Sequence, residues 1–380
     1  MSSPAPKILL VGATGYVGGT VLHRLLTHPS LTPILTYANP ITAPVRGSPD
    51  RLARLTATYG PRVRPVPISS LDDIDTLTSL ASTHDVVINA GSGFHPPSAE
   101  ALVRGLSKRK AQTGSPVWMI HTSGCSNIAD KPITGVARPD AEYEDAHSES
   151  VFAFEEAENR RDWYPQRAAE LLVLRTAEDL GVGAASIQAP CIFGTGEGQF
   201  QRAGLMIPIM MSFVLEQGYG FTCGDGTGVI DWVHVADLAD LYVLCALDVL
   251  QNEGENIPTG RKGIVFPTAG RTLTVDIAHK CLDVAFATGN LPRENTPKQK
   301  EVRKVGLEEA AVTTAGNVAV AETGYAGHRK TKGTVARERL GWKPVHLEEA
   351  WEKDFETELR AALSGLRGVN TIGACIADTK

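Results

Sequence analysis

Short apolar runs alternate with stretches of helical spacing along the first half of the chain. Lys7-Ile-Leu-Leu-Val11 is apolar throughout, which predicts a strand buried on both faces. Glycines at 12, 15 and 18 follow it, and Val21, Leu22, Leu25 and Leu26 then give the spacing of a helix over 17–26. Ile41-Thr-Ala-Pro-Val-Arg46 predicts a second strand, although Pro44 suits an edge or a strand end. The connection 27–40 is long enough to hide part of a strand at 34–37. Further strands are predicted at 62–68, 85–90 and 117–122, with helices at 72–82 and 99–107.

Residues 126–162 are polar and acidic without a sustained period, which predicts a long loop of the kind that often serves as a lid. A helix resumes near Gln166 and runs to Leu180, with Gly181 placed as its C-terminal cap. A strand follows at 185–189, and Asp237 is placed to cap a helix through Leu250. Later elements are a strand at 263–267, a helix at 274–287 opened by Thr274 or Asp276, and an amphipathic helix at 348–363. The stretch 289–334, rich in Lys, Ala, Thr and Gly, reads as partly mobile, and 366–380 as a tail. This alternation predicts an α/β protein with a doubly wound parallel sheet and right-handed crossovers.

Composition narrows the function classes. The chain has 380 residues, 42% hydrophobic and 21% charged, enough for a large core and about two folding units. Its net charge of −6 provides no basic field for nucleic acid or an anionic membrane surface. Lys and Arg are scattered, apart from the short basic run Arg329-Lys330-Thr-Lys332. The six cysteines include no C-x-x-C pair, which fits a reducing compartment and offers neither a disulfide framework nor a zinc site. No secretory pattern opens the chain and no apolar run reaches the ~18–20 residues of a membrane span, so a cytoplasmic protein is expected.

Gly12-Ala-Thr-Gly15-Tyr-Val-Gly18 lies between a buried strand and a helix. Chemistry asks for glycine at each place: a tight turn, close backbone approach to a pyrophosphate, and close helix–strand packing. The helix N-terminus then offers unpaired N–H groups to the phosphates. This context predicts a dinucleotide site on a Rossmann domain over 1–190, completed by 229–250. Residues 191–228 and 251–365 would form a smaller C-terminal substrate-binding subdomain. If 41–45 is the second strand, Arg46 stands where an arginine accommodates the 2′-phosphate of NADP(H), with Arg51 in reserve; an acidic residue there would favour NAD(H).

The G-x-x-G-x-x-G spacing resembles the extended and atypical short-chain dehydrogenases/reductases, and more narrowly the fungal NAD(P)-binding epimerase/dehydratase-like proteins. The resemblance covers nearly the whole chain, through Asp85-Val-Val-Ile-Asn-Ala90, Ile120-His-Thr-Ser-Gly124, Ala189-Pro-Cys-Ile-Phe-Gly194, Trp232-Val-His-Val-Ala-Asp237 and Leu340-Gly-Trp-Lys-Pro344. It implies cofactor contacts from Gly12, Thr14, Gly15, Tyr16, Val17 and Gly18, and from Asn89, Ala90, Pro190 and Cys191. It also implies a serine at Ser123 to anchor the substrate oxygen. The family's Tyr-x-x-x-Lys pair is missing: residues 130–180 hold one lysine, Lys131, and two tyrosines, Tyr143 and Tyr164. Counting back from Glu170 places the expected Tyr near Asp162 or Trp163 and the Lys at Gln166 or Arg167. Tyr164 as acid and Arg167 as ribose anchor is one reading; a packing tyrosine and an arginine spent on a carboxylate is the other.

His234 and Asp237 make an incomplete metal pair. The turns at 194–198 and 224–228 read as hairpin turns or a mobile rim, Cys191 as a buried inert thiol, and Met206–Met211 as pocket wall or ordinary core. The chain is thus expected to be an NADP(H)-dependent oxidoreductase for a small, fairly apolar carbonyl or alcohol of secondary metabolism. An isomerase or lyase on the same fold, or a cofactor-sensing regulator, are the alternatives. The expected partner is a small molecule, with a homodimer left open.

Overall fold

The computed structural model describes residues 5–47, 49–91 and 93–365. Its centre is a seven-stranded sheet of β1 (Ile8–Val11), β2 (Ile41–Arg46), β3 (Val63–Ile68), β4 (Val86–Asn89), β5 (Trp118–Gly124) and the strands Gly183–Ala189 and Ile264–Val265. The spatial order is β3-β2-β1-β4-β5 followed by those two strands, and every pairing is parallel. β1 and β4 are wholly buried, as uninterrupted apolar runs require when helices cover both faces. One face carries α1 (Tyr16–Thr27) and, from late in the chain, the helix Val235–Asn252. The other carries α3 (Ile74–Ala81), α4 (Pro96–Thr113) and α6 (Pro165–Leu180), while α2 (Pro49–Tyr59) packs beside β3. The expected doubly wound parallel sheet is therefore present. Pro67 lies in the edge strand β3, where a missing N–H donor is tolerated, but Pro44 lies inside β2, which is paired on both sides, so its expected place at an edge or strand end is corrected.

A second core gathers Phe221, Trp232 and Trp351 with the helices Met206–Gln217, Thr274–Ala287 and Glu348–Leu363. It is backed by a three-stranded sheet of Cys191–Phe193, Val229–His234 and Gly270–Leu273. Two expectations need correction. Residues 126–162 are not one loop, because α5 (Ser148–Arg161) occupies their end. Its buried stripe runs through Val151, Phe152 and Glu155, and a buried carboxylate breaks the apolar period that would have revealed it. Residues 34–37 form no strand: Leu35 N–H returns to the Leu31 carbonyl at 2.8 Å, and both leucines reach the core from turns. Asp237 is also not the helix cap, since the His234 ring accepts the Ala236 N–H at 3.2 Å. The supposed tail 366–380 lies outside the described residues.

The segment 328–346 crosses the molecule as a strap, held by four buried aspartates from distant parts of the chain. Asp130 accepts the His328 N–H at 2.6 Å and Asp231 the Thr331 N–H at 2.5 Å. Asp145 accepts the Thr334 N–H at 2.7 Å and Asp237 the His346 N–H at 2.8 Å. Part of the stretch 289–334 that composition marks as mobile is thus stapled, charge to backbone, against the body.

Candidate active site

Gly12 ends β1 with φ +90°, and a β-carbon there would stand 2.3 Å from the Ala90 carbonyl oxygen. A β-carbon on Gly18 would stand 2.1 Å from the Gly12 oxygen, so helix α1 rests directly on the turn. Only glycine permits either approach. Gly15 precedes α1 without a side-chain cap, and the first turn carries no acidic residue, so its N–H groups face no competing carboxylate. These features suit a dinucleotide pyrophosphate.

The loop opens into a cleft of about 540 Å³ lying between the main sheet and the second core. Gly12, Thr14, Gly15, Tyr16, Val17 and Ala90 form its floor, and Arg46 and Arg51 stand where β2 ends and α2 begins. Pro190 and Cys191 line it, and burial pushes the Cys191 thiol up to about 12, an unreactive group. Gly18 and Asn89 are not on the wall: Gly18 serves the packing above, and Asn89 contacts the His121 ring at 3.1 Å. Met206 and Ile209 face the cleft while Ile207, Met210 and Met211 are core, so one helix turn does both things the sequence allowed.

Ser123 lies at the end of β5, buried, and lines the cleft. Asn127 Nδ2 donates to it at 3.0 Å, and Glu170 hydrogen-bonds it from behind. Glu170 and the neighbouring Glu155 are both fully buried, and burial raises both above ordinary carboxylate values by disfavouring their charged forms. Tyr164 caps the start of α6 from the wall; its phenol donates to Ser126 Oγ at 3.1 Å, and Ser126 donates to Gln166 Oε1 at 2.6 Å. Tyr164, Ser126 and Gln166 all line the cleft.

Arg167 does not. Its guanidinium donates to the carbonyls of Asn127 at 2.7 Å and Asp162 at 2.6 Å, and it is absent from the cleft wall. The expected ribose anchor is therefore corrected: successive helical residues point about 100° apart, and it is Gln166, one residue earlier, that faces the cleft. Three other polar groups of the site escaped the sequence reading. Ser126 and Glu170 carry no signal of burial, and Arg329 was visible only as part of a basic run. Among the described residues no cluster of His, Cys, Asp and Glu could hold a metal ion. His234 stacks on His346 at 4.0 Å instead. No helix among the described residues is long and apolar enough to cross a membrane.

The fold is a Rossmann-like α/β fold, and the resemblance read from the sequence stands. Residues 138–257 match the NAD dependent epimerase/dehydratase family. The chain is 26% identical to the oxidase ucsJ of an Acremonium species over 354 residues, 89% of this chain and 93% of that one. Among solved structures, it superposes on the dTDP-glucose 4,6-dehydratase DesIV of Streptomyces venezuelae, described with NAD bound, at a TM-score of 0.62. Identity there is 16%, covering 94% of this chain and 97% of the other. The UDP-glucose 4-epimerase of Thermotoga maritima gives 0.55 at 15% identity, covering 95% and 100%.

Proposed function

We propose that this chain is an NADP(H)-dependent oxidoreductase acting on a small, fairly apolar carbonyl or alcohol. One observation carries the reading: a single cleft is lined by the glycine loop, Ser123, Tyr164 and an apolar wall. The body built on the main sheet would hold the cofactor and the second core the substrate; against the expected boundaries, Val229–His234 belongs to the sheet of the second core and Ile264–Val265 to the main sheet. Gly12, Thr14, Gly15, Tyr16 and Val17 would cradle the pyrophosphate, and Gly18 would hold the helix against it. Ala90, Pro190 and Cys191 would contact the nicotinamide half, with Asn89 ordering the strand end. Arg46, backed by Arg51, would bind the 2′-phosphate. When bound, the dinucleotide supplies or accepts a hydride. Ser123 then anchors the substrate oxygen, its hydroxyl oriented by Asn127 and Glu170. Tyr164 would exchange the proton with that oxygen directly, its phenol positioned by Ser126, which Gln166 holds in turn.

The test is absorbance of reduced nicotinamide with a panel of apolar aldehydes and ketones. Substrate-dependent oxidation of NADPH, reduced at least a hundredfold in Ser123→Ala, is the expected result. Unchanged activity in that variant would remove Ser123 from the chemistry. Gln166 favours a second reading: with a neutral amide where the resemblance implies lysine, the cofactor could serve an isomerase or lyase. Product formed with no net consumption of NADPH would decide for it.

A further inference from the structure

Arg329 belongs to the strap and projects into the cleft, yet it is only 8% exposed. Its backbone is fixed on both sides: its own N–H reaches the Val229 carbonyl at 2.8 Å, and His328 and Thr331 are stapled by Asp130 and Asp231. The guanidinium is poorly satisfied. Nη2 donates to the Gly324 carbonyl at 3.0 Å and lies 3.8 Å from the Met206 sulfur, while Nε is buried without any partner. No carboxylate stands within ion-pair distance of it among the described residues. Asp231, the carboxylate whose charge acts on Arg329, is spent, with one oxygen on Arg271 Nε at 2.5 Å and the other on Thr331.

A guanidinium taken out of water without a counter-ion is costly, and burial pulls its pKa below the usual arginine value. Such a group is worth retaining where a ligand brings the missing charge. On the reading of this cleft as the substrate pocket, we propose that Arg329 binds a carboxylate of the substrate. The compound that enters is then an organic acid on an apolar stem. Leu205, Met206, Ile209 and Val320 offer that stem an apolar wall. The only other Lys or Arg on the described wall are Arg46 and Arg51, at the end of β2. A single cation suits one carboxylate, whereas a nucleoside diphosphate brings several charges and calls for more than one.

The experiment is calorimetric titration of the full-length protein, saturated with NADPH, using 4-phenylbutyrate and its neutral amide as probes. Acid binding at least tenfold tighter than amide is expected. Arg329→Gln should erase that preference, and Arg329→Lys, which keeps the charge, should retain part of it. Equal binding of acid and amide, binding of neither, or a preference that survives in Arg329→Gln overturns the proposal. So does UDP binding more tightly than the acid. The acid–amide comparison uses unaltered protein, so it decides even where a variant fails to fold. NADPH binding is followed separately by nicotinamide fluorescence, with the probes titrated into cofactor-free protein as well. Loss of that signal with the acid preference intact would sink the cofactor assignment and leave the anion site standing.

Discussion

The amide of Gln166 accepts a hydrogen bond from Ser126, which in turn accepts from the Tyr164 phenol, so a neutral amide stands at the end of that hydrogen-bond chain. An ammonium in that place would stabilise the phenolate. Gln166→Lys is therefore expected to move the alkaline limb of the pH–rate profile down by about one unit; an unmoved limb would mean that Tyr164 does not exchange the proton. At the end of β2, the double variant Arg46→Ala, Arg51→Ala should weaken NADPH roughly tenfold or more and leave NADH binding nearly unchanged. That difference corresponds to about 1.4 kcal/mol or more of phosphate recognition. Equal loss for both cofactors, measured by fluorescence titration, would point to a structural role. At this scale the sequence was legible where backbone geometry demands glycine, and ambiguous where one residue of helical register separates Gln166 from Arg167.

Helix α1 and strand β1 meet through glycine alone, which makes their junction intolerant of a single methyl. Gly18→Ala places a carbon 2.1 Å from the Gly12 carbonyl, so the helix must move away from the turn. A loss of roughly 1–3 kcal/mol in urea unfolding is expected, together with weakened cofactor binding. A variant as stable as the parent would show that the helix has room to shift. Elements built from apolar periodicity, such as Glu348–Leu363, were readable from the chain, and so were β1 and β4 as unbroken apolar runs. Helix α5 was not, because Glu155 occupies its buried stripe. The strap was invisible for a related reason: a carboxylate gripping a backbone N–H 100 or more residues away, as Asp231 grips Thr331, leaves no periodic trace.

Across the whole molecule, buried titratable groups set the response to acid. Burial lowers His121 from 6.5 to about 4, and burial with the adjacent His346 lowers His234 to about 4. Both rings stay neutral in the folded protein while the unfolded chain takes up protons, so their contribution is intact above pH 6.5. It is lost as pH falls toward 4. Glu155 and Glu170 act oppositely, since their raised values favour the folded state most at low pH and that support declines as pH rises past the unfolded carboxylate value of about 4.3. In urea unfolding at pH 6.5, 5.5 and 4.5 the two histidines therefore lower stability as pH falls while the two glutamates raise it, and the pairs oppose each other across the window. His121→Asn removes one of the opposing groups and should raise stability at pH 4.5 relative to pH 6.5 by about 2 kcal/mol compared with the parent; an unchanged pH dependence would remove His121 from the account.

The strap also has a temporal meaning. Translation delivers the glycine loop first, the last strand of the main sheet at Ile264–Val265 much later, and Arg329 later still. A ribosome-bound chain could thus close its nucleotide floor before the anion-binding wall has emerged.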